Sequence, residues 1–137
     1  MVRAEVLRRR LSKLDEYLGH LEAMRQYSAE EFLAEPERYG AAERFLQLAI
    51  EILNDVASHV IADEQLGVAE SSRDIPRLLR EHGFIDTDAE QRWLQMNGFR
   101  NILVHEYLDV DRSVVHDVLQ HRLGELREFG QVFAQFL

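Results

Sequence analysis

The chain has 137 residues, 46% of them hydrophobic, and a formal net charge of −9. A chain of this length has enough apolar surface for one core, so we expect a single domain over residues 1–137. The acidic balance excludes a protein that coats nucleic acid with a broad basic face, but it allows an enzyme with a few local arginines. The absence of cysteine excludes disulfides, thiolate catalysis and cysteine-based zinc sites.

The sequence predicts a cytoplasmic protein. No apolar stretch approaches the roughly 18 residues that a membrane span requires. Glu5 lies where a signal peptide would be continuously apolar. A chain without cysteine also fits a reducing compartment.

The first half of the chain predicts two long helices and a short one between them. Leucines at steps of four and three form a heptad stripe at Leu7, Leu11, Leu14, Leu18 and Leu21. Ser28-Ala29-Glu30-Glu31 is a capping box that predicts a short helix ending before Pro36. The second long helix is predicted from about Glu37 to Gln65. Its apolar face comprises Phe45, Ala49, Ile52, Val56 and Val60, and its opposite face comprises Glu43, Glu51, Asp55 and Asp63.

The second half predicts a short helix followed by two long ones. The short helix runs from about Asp74 to His82, with Gly83 in the left-handed conformation after it. Thr87-Asp88-Ala89-Glu90 is a second capping box, which predicts a helix from there to about Glu106. Asp109 or Asp111 can cap the last helix, whose apolar face comprises Val115, Leu119, Leu123, Leu126, Phe133 and Phe136.

These elements predict an all-α fold. No segment alternates with a period of two, so the sequence indicates no strand. Four long helices with short connections predict an antiparallel four-helix bundle with two additional short helices.

The third long helix ends in the run Arg100-Asn101-Ile102-Leu103-Val104-His105-Glu106-Tyr107. An arginine, a polar residue, three further residues and a histidine form the motif that defines the HEPN superfamily. The His-x-Tyr ending is similar to the HepT toxin branch. The chain also resembles this family in its two long N-terminal helices, in an Ala-Ile-Glu triplet, in a tryptophan seven residues before the arginine and in Leu-Asp-Val-Asp after the tyrosine. The resemblance covers essentially the whole chain.

The spacing from arginine to histidine is weak by itself, because it occurs twice in this chain. Arg77 and His82 have the same interval, but Leu78 is apolar where the motif has a polar residue, and no tyrosine follows. We interpret Arg77 and His82 as an ordinary helix end, where cationic side chains offset the helix dipole. Asn101 and Tyr107 therefore distinguish the second run.

Arg100 and His105 have the chemistry that metal-free RNA cleavage requires. The 2′-hydroxyl of RNA can attack the neighbouring phosphate when a group that titrates near neutral pH accepts its proton, and histidine is such a group. A planar guanidinium can bind two non-bridging phosphate oxygens and stabilise the charge that develops on them. Asn101 is a supporting residue that can orient the histidine ring or the phosphate. The resemblance implies a 2′,3′-cyclic phosphate product.

Helix geometry separates these two side chains. Positions five residues apart on an ideal helix differ by about 140° in direction. Either the helix loosens at its end, or a second subunit completes the site. The resemblance implies the second case, with two motifs facing each other across a groove, so we expect a homodimer with a composite active site.

Tyr107 is the predicted point of control. In the HepT branch, a partner nucleotidyltransferase antitoxin of the MntA type attaches AMP to the tyrosine of this motif. Arg100 and Tyr107 are seven residues apart, so we expect them to share a helix face. An AMP diester there would bring negative charge and bulk to the substrate phosphate's place and silence the nuclease.

The leading hypothesis is thus an endoribonuclease toxin of a type VII-like toxin–antitoxin pair that needs no cofactor and no metal. One alternative is a catalytically inactive dimeric HEPN adaptor that presents nucleotide or substrate to a partner nucleotidyltransferase. A second alternative is a metal-dependent helical enzyme, for which Asp55, His59 and Asp63 fall on one helix face. A solvated acidic face explains those three residues better.

Overall fold

The computed structural model describes residues 3–137, so Met1 and Val2 of the predicted domain lie outside the described residues. Within residues 3–137 the structure contains helices and no strand, and the all-α prediction is confirmed. The seven α-helices of this part are α1 Ala4–Ala23, α2 Ala29–Ala34, α3 Pro36–Asp63, α4 Asp74–Glu81, α5 Thr87–His105, α6 Arg112–His121 and α7 Leu123–Gln131. Short 3-10 turns follow α1, α5 and α7 at Met24–Gln26, Tyr107–Asp109 and Val132–Phe136.

α3 is the central helix of the bundle and contacts α1, α2, α4, α5, α6 and α7. Burial on α3 is broader than the predicted stripe, because helices cover it from several sides. Phe45 and Ile52 are half-buried, whereas the fully buried positions are Ala42, Leu46, Ala49, Ile50, Leu53, Val56, Ala57, Val60 and Ile61.

The length and composition of α3 also meet the criterion for a membrane span, contrary to the expectation from the sequence. A core helix of a folded protein meets the same criterion. The buried side chains of α3 pack against the other helices of the bundle, which accounts for its apolar composition.

The last long helix is broken, which corrects the sequence prediction. α6 ends at His121 and α7 begins at Leu123, and Arg122 between them leaves the helical conformation at φ −121° and ψ 3°. The break lets the two halves pack in different places: both contact α3, but α6 also packs against α2, whereas α7 also packs against α1. A continuous helix has one direction and would lose one of these contacts.

The caps at three helix ends are as predicted. Ser28 forms both bonds of its capping box with Glu31 at the start of α2. Gly83 follows α4 with φ +79°, a conformation that side chains with a Cβ rarely adopt. Asp111, one of the two candidates, caps α6 by accepting the Ser113 N–H at 3.0 Å.

The predicted cap of α5 is wrong. Asp86, not Thr87, precedes the helix, and its Oδ1 accepts the Ala89 N–H at 2.8 Å. Glu90 does not close a capping box. It is buried, and its Oε2 accepts from Nε of Arg80 on α4 at 2.6 Å. A buried carboxylate needs a charged partner, so this contact outweighs the local cap.

Candidate functional site

Arg100 lies near the end of α5 and reaches across to α3. Its Nε and Nη2 both donate to Oε1 of Glu51, at 3.2 and 2.8 Å, and its Nη1 donates to Oδ1 of Asn101 at 3.2 Å. The guanidinium is part-buried at the wall of a cavity of about 260 Å³. The residues that line this cavity are all polar or charged: Glu51, Asn54, Ser72, Asn97, Arg100 and Asn101.

The sequence prediction missed Glu51, which it placed on the outer face of its helix. Burial raises the pKa of Glu51, but hydrogen bonds from Arg100 and Gln47 and the positive charges of Arg100 and Arg44 outweigh it, so the pKa lies below the ordinary value. Glu51 is therefore an anion at neutral pH. The Ala-Ile-Glu triplet of the family resemblance was the signal that marked this position.

A directed chain of hydrogen bonds lies one helical turn below the Arg100–Glu51 pair. The Trp93 indole N–H donates to Oδ1 of Asn54 at 2.9 Å, Nδ2 of Asn54 donates to Oδ1 of Asn97 at 2.8 Å, and Nδ2 of Asn97 donates to the Ser72 carbonyl at 3.2 Å. Because an indole can only donate, the orientation of both amides follows from it. The chain joins α5, α3 and the segment before α4.

The Arg100–Glu51 pair and the Asn54–Asn97 pair fix the register of α3 against α5. Asn54 lies three residues after Glu51 on α3, and Asn97 lies three residues before Arg100 on α5. Two side-chain pairs one turn apart on antiparallel helices hold Arg100 at a defined place on the cavity wall.

His105 is the last residue of α5, and the structure does not bring it to Arg100 by loosening the helix. α5 is α-helical through His105, and the N–H of Glu106 still donates to the Ile102 carbonyl at 3.0 Å. The loosened-helix explanation is therefore wrong. The His105 ring is exposed and has no hydrogen-bond or ion-pair partner among residues 3–137. Asn101 bonds to Arg100 instead of to this ring.

Tyr107 does not share a helix face with Arg100, which corrects the prediction. Glu106 turns out of the helix with φ −124° and ψ 39°, and Tyr107 begins the separate turn Tyr107–Asp109. The tyrosine is 67% exposed, and Leu108 beside it is 86% exposed. Both side chains are therefore accessible on the surface between α5 and α6.

The candidate metal-binding face on α3 is engaged in other contacts. Asp55 accepts a hydrogen bond from Nε of Arg10 and has its other oxygen 3.7 Å from Nε2 of His59. Across residues 3–137, no group of three or more histidine, aspartate or glutamate side chains is arranged to hold a metal ion.

Comparisons with known proteins agree with this fold. The family model described as Ribonuclease HepT-like matches residues 14–133. The mRNA nuclease HepT of Shewanella oneidensis is 36% identical over 87 residues, which cover 64% of this chain and 65%, less than two thirds, of that relative. The tRNA nuclease HepT of Aphanizomenon flos-aquae is 26% identical over 120 residues, covering 88% of this chain and 82% of the relative.

A solved structure shows the same architecture over nearly the full length. The tri-AMPylated HEPN toxin of Shewanella oneidensis, solved in complex with MNT antitoxin, superposes with a TM-score of 0.89 at 24% identity. The superposition covers 97% of this chain and 99% of that toxin. At this identity the likeness shows the HEPN fold. Together with the family model, which spans most of the residues, it leads to one conclusion: the chain belongs to the ribonuclease HepT-like family.

Proposed function

We propose that this protein is a metal-independent endoribonuclease, the toxin of a type VII-like toxin–antitoxin pair, which acts in the cytoplasm as one HEPN domain. The observation that carries the proposal is the Arg100 guanidinium, which Glu51 and Asn101 hold at the wall of a polar cavity. The names of both curated relatives, an mRNA nuclease and a tRNA nuclease, support a nuclease.

The proposed reaction needs only RNA and these side chains. The 2′-oxygen attacks phosphorus as His105 accepts the 2′-proton, the bond from phosphorus to the 5′-oxygen breaks, and the leaving oxygen takes up a proton. The products are a 2′,3′-cyclic phosphate and a 5′-hydroxyl. Arg100 binds the non-bridging oxygens, and Asn101 keeps the guanidinium oriented through its bond to Nη1.

A homodimer brings the two required side chains together. On one copy, Arg100 and His105 point about 140° apart. Apolar side chains lie exposed at this end of the molecule, at Ile102, Leu108 and Val114. A second copy related by a two-fold axis would cover them and place its own histidine opposite Arg100. We propose that the active site is composite in this sense.

Tyr107 is the proposed acceptor of AMP from a cognate nucleotidyltransferase antitoxin of the MntA type. Its side chain is exposed on the turn Tyr107–Asp109, which begins two residues after His105 at the end of α5. Attack of that hydroxyl on the α-phosphate of ATP would form a phosphodiester and release pyrophosphate. The added negative charge would sit beside the proposed RNA site. The AMPylated state of the related toxin supports this proposal.

The modification is tested by the intact mass of the chain after coexpression with its nucleotidyltransferase. We expect the mass of the wild type to increase by one or more AMP groups and the mass of Tyr107→Phe to stay unchanged. We also expect the modified protein to have lost RNA cleavage. AMP on another residue, with Tyr107 unmodified, would contradict the proposal.

The nuclease function is tested by incubating purified protein with RNA in EDTA. We expect cleavage that leaves 2′,3′-cyclic ends, and a loss of about 10²- to 10⁴-fold in Arg100→Ala and in His105→Ala. His82→Ala is the matched control, because it removes the histidine of the other Arg-x4-His segment, and its rate should equal that of the wild type. Activity that survives both site substitutions would refute the assignment. An intact complex with the nucleotidyltransferase and no cleavage by any preparation would favour the inactive adaptor.

A further inference from the structure

A groove between α1 and α3 concentrates positive charge on an otherwise acidic protein. The first 13 residues contain five of the 16 lysines and arginines and one of the 25 acidic residues. Three of these five basic side chains face one cavity of about 420 Å³. We call it the α1–α3 groove, and its lining residues are Arg9, Arg10, Lys13, Tyr17, Leu48, Ile52 and Asp55.

The basic side chains of this groove are available to a ligand. Arg9 is exposed and has no ion pair or hydrogen bond within residues 3–137. Arg10 pairs with Asp55, and Lys13 Nζ pairs with Glu16 Oε2 at 2.8 Å, but all four of these side chains are at least 36% exposed. Exposed ion pairs of this kind contribute little free energy, so a phosphate group can replace the carboxylate partner.

Tyr17 gives the same groove an aromatic surface. Its ring packs against Phe45 with 5.6 Å between centroids, which restrains it, and Nζ of Lys13 lies 5.8 Å from its centroid. A basic groove combined with a restrained aromatic ring is the arrangement that binds single-stranded nucleic acid, with phosphates on the cations and a base on the ring.

The α1–α3 groove and the Arg100 cavity lie on two sides of the same exposed face of α3. Leu48, Glu51 and Asp55 follow one another at helical steps of three and four, which places them along one face. Leu48 and Asp55 line the groove, and Glu51 lines the cavity. Two sites on opposite flanks of one helix are separated by about a helix diameter, roughly 10 to 12 Å. A stacked strand covers this in about three nucleotides at about 3.4 Å each.

We infer that the α1–α3 groove binds the RNA strand that flanks the scissile phosphate, with Arg9 and Lys13 on backbone phosphates and Tyr17 against a base. The inference rests on the proposed nuclease function, because Arg100 marks the scissile phosphate. The charge distribution favours it, because residues 14–137 contain 24 acidic and only 11 basic residues, whereas three basic side chains line this groove within a few nucleotides of the site.

The test measures binding apart from cleavage. A fluorescently labelled single-stranded RNA of about 12 nucleotides is titrated with the full-length His105→Ala protein across a range of salt concentrations. We expect Arg9→Gln to lower the slope of log K against log salt by about 0.7 and to weaken binding about fourfold at 0.15 M salt. Adding Lys13→Gln should bring the loss above about tenfold.

Arg25→Gln is the matched control, because Arg25 is an exposed arginine just after the other end of α1, it has no ion pair in the described chain, and it does not line the groove. Equal slopes for Arg9→Gln and Arg25→Gln would overturn the inference. So would groove variants that lose affinity for the nucleotidyltransferase partner while keeping affinity for RNA, since the groove would then bind a protein.

A dinucleotide substrate separates this inference from the proposed function. It is too short to reach the groove, so the Arg9→Gln/Lys13→Gln protein should cleave it at the wild-type rate and cleave long RNA more slowly. Equal slowing on both substrates would refute a flanking-strand site. If wild-type protein cleaves neither substrate, the nuclease proposal fails, and the binding titration still decides what the groove binds.

Discussion

The chain contains two segments with an arginine five residues before a histidine, and the structure uses them in different ways. In α4, Arg77 pairs with Asp74 at 3.3 Å and with Glu81 at 3.0 Å, and Nδ1 of His82 donates to the Leu78 carbonyl at 2.9 Å. Every one of these partners belongs to α4 itself. The first segment therefore closes its own helix.

In α5 the corresponding arginine and histidine form no ion pair within their own helix. Arg100 reaches Glu51 on α3, and His105 has no partner in the described part of the chain. The same spacing thus has a local structural role in one place and a long-range role in the other. The two arginines differ in the contacts that hold them and in the cavity that Arg100 faces, and the interval to a histidine does not distinguish them.

The largest expected effect comes from mixing two inactive variants of the second segment. Arg100→Ala and His105→Ala are each expected to be inactive, but a mixed dimer contains one pairing of an intact arginine with an intact histidine. After denaturation and refolding together, we expect about one quarter of the wild-type cleavage rate, because half of the dimers are mixed and half of their sites are intact. The rate of RNA cleavage in EDTA measures it.

The control for this experiment is the Arg100→Ala/His105→Ala double variant refolded with the inactive Arg100→Ala protein, which contains no intact pair. A mixture of the single variants that stays as inactive as this control would show that each copy builds its own site.

The next effect concerns the Asn54–Asn97 hydrogen bond, one helical turn below Arg100. Asn97 is 5% exposed, and Asn97→Ala leaves the Asn54 amide and the Ser72 carbonyl without their partner. We expect a loss of about 1 to 3 kcal/mol in the free energy of unfolding. That corresponds to a decrease in Tm of about 4 to 12 °C, measured by thermal denaturation. Asn101→Ala, an exposed asparagine one turn further along, should change Tm little. Equal Tm values for the two variants would argue against a structural role for the amide chain.

A smaller effect is expected when Glu51 loses its charge. The Glu51→Gln variant has no carboxylate to repel the substrate phosphate. The neutral amide also holds Arg100 less firmly than the carboxylate does. We expect tighter RNA binding together with about a tenfold lower kcat, because the guanidinium is less well placed. Single-turnover cleavage and titration of RNA measure the two quantities separately. Glu81→Gln, which removes one of the two carboxylate partners of Arg77 in the first segment, should change neither quantity. A parallel change in both variants would remove the distinction between the segments.

The smallest effect is on the pH dependence of stability. The pKa of Glu51 in the folded protein lies below its ordinary value of 4.5. Ionised Glu51 therefore stabilises the fold above that ordinary value, and the contribution is lost as the pH falls through the lower folded-state pKa. Because the pair is about a third exposed, the difference between the wild type and Glu51→Gln should stay below about 1 kcal/mol near neutral pH. Urea unfolding at several pH values should show that the free energies of unfolding of the two proteins converge in acid. A difference between these free energies that widens in acid would contradict this linkage.

Much of the helical frame was predictable because its signals are local. The heptad of leucines, the Ser28 capping box and Gly83 each depend on residues within one or two turns, and the structure has these elements where the sequence predicts them. The predictions failed where a distant contact competed with a local signal. Glu90 pairs with Arg80 instead of capping α5, and the last helix breaks at Arg122 so that its halves can pack on different neighbours.

The sequence by itself determined the all-α fold, the family and the four candidate residues Arg100, Asn101, His105 and Tyr107, since periodicity, caps and a short motif can be read without knowing which helices meet. The tertiary structure alone decided that Glu51 holds Arg100, that Asn54 and Asn97 set the register beneath it, and that Tyr107 leaves the helix face of Arg100. The physical reason is that these facts depend on the register between α3 and α5 and on where α5 ends. Both follow from packing between residues more than 40 positions apart in the chain.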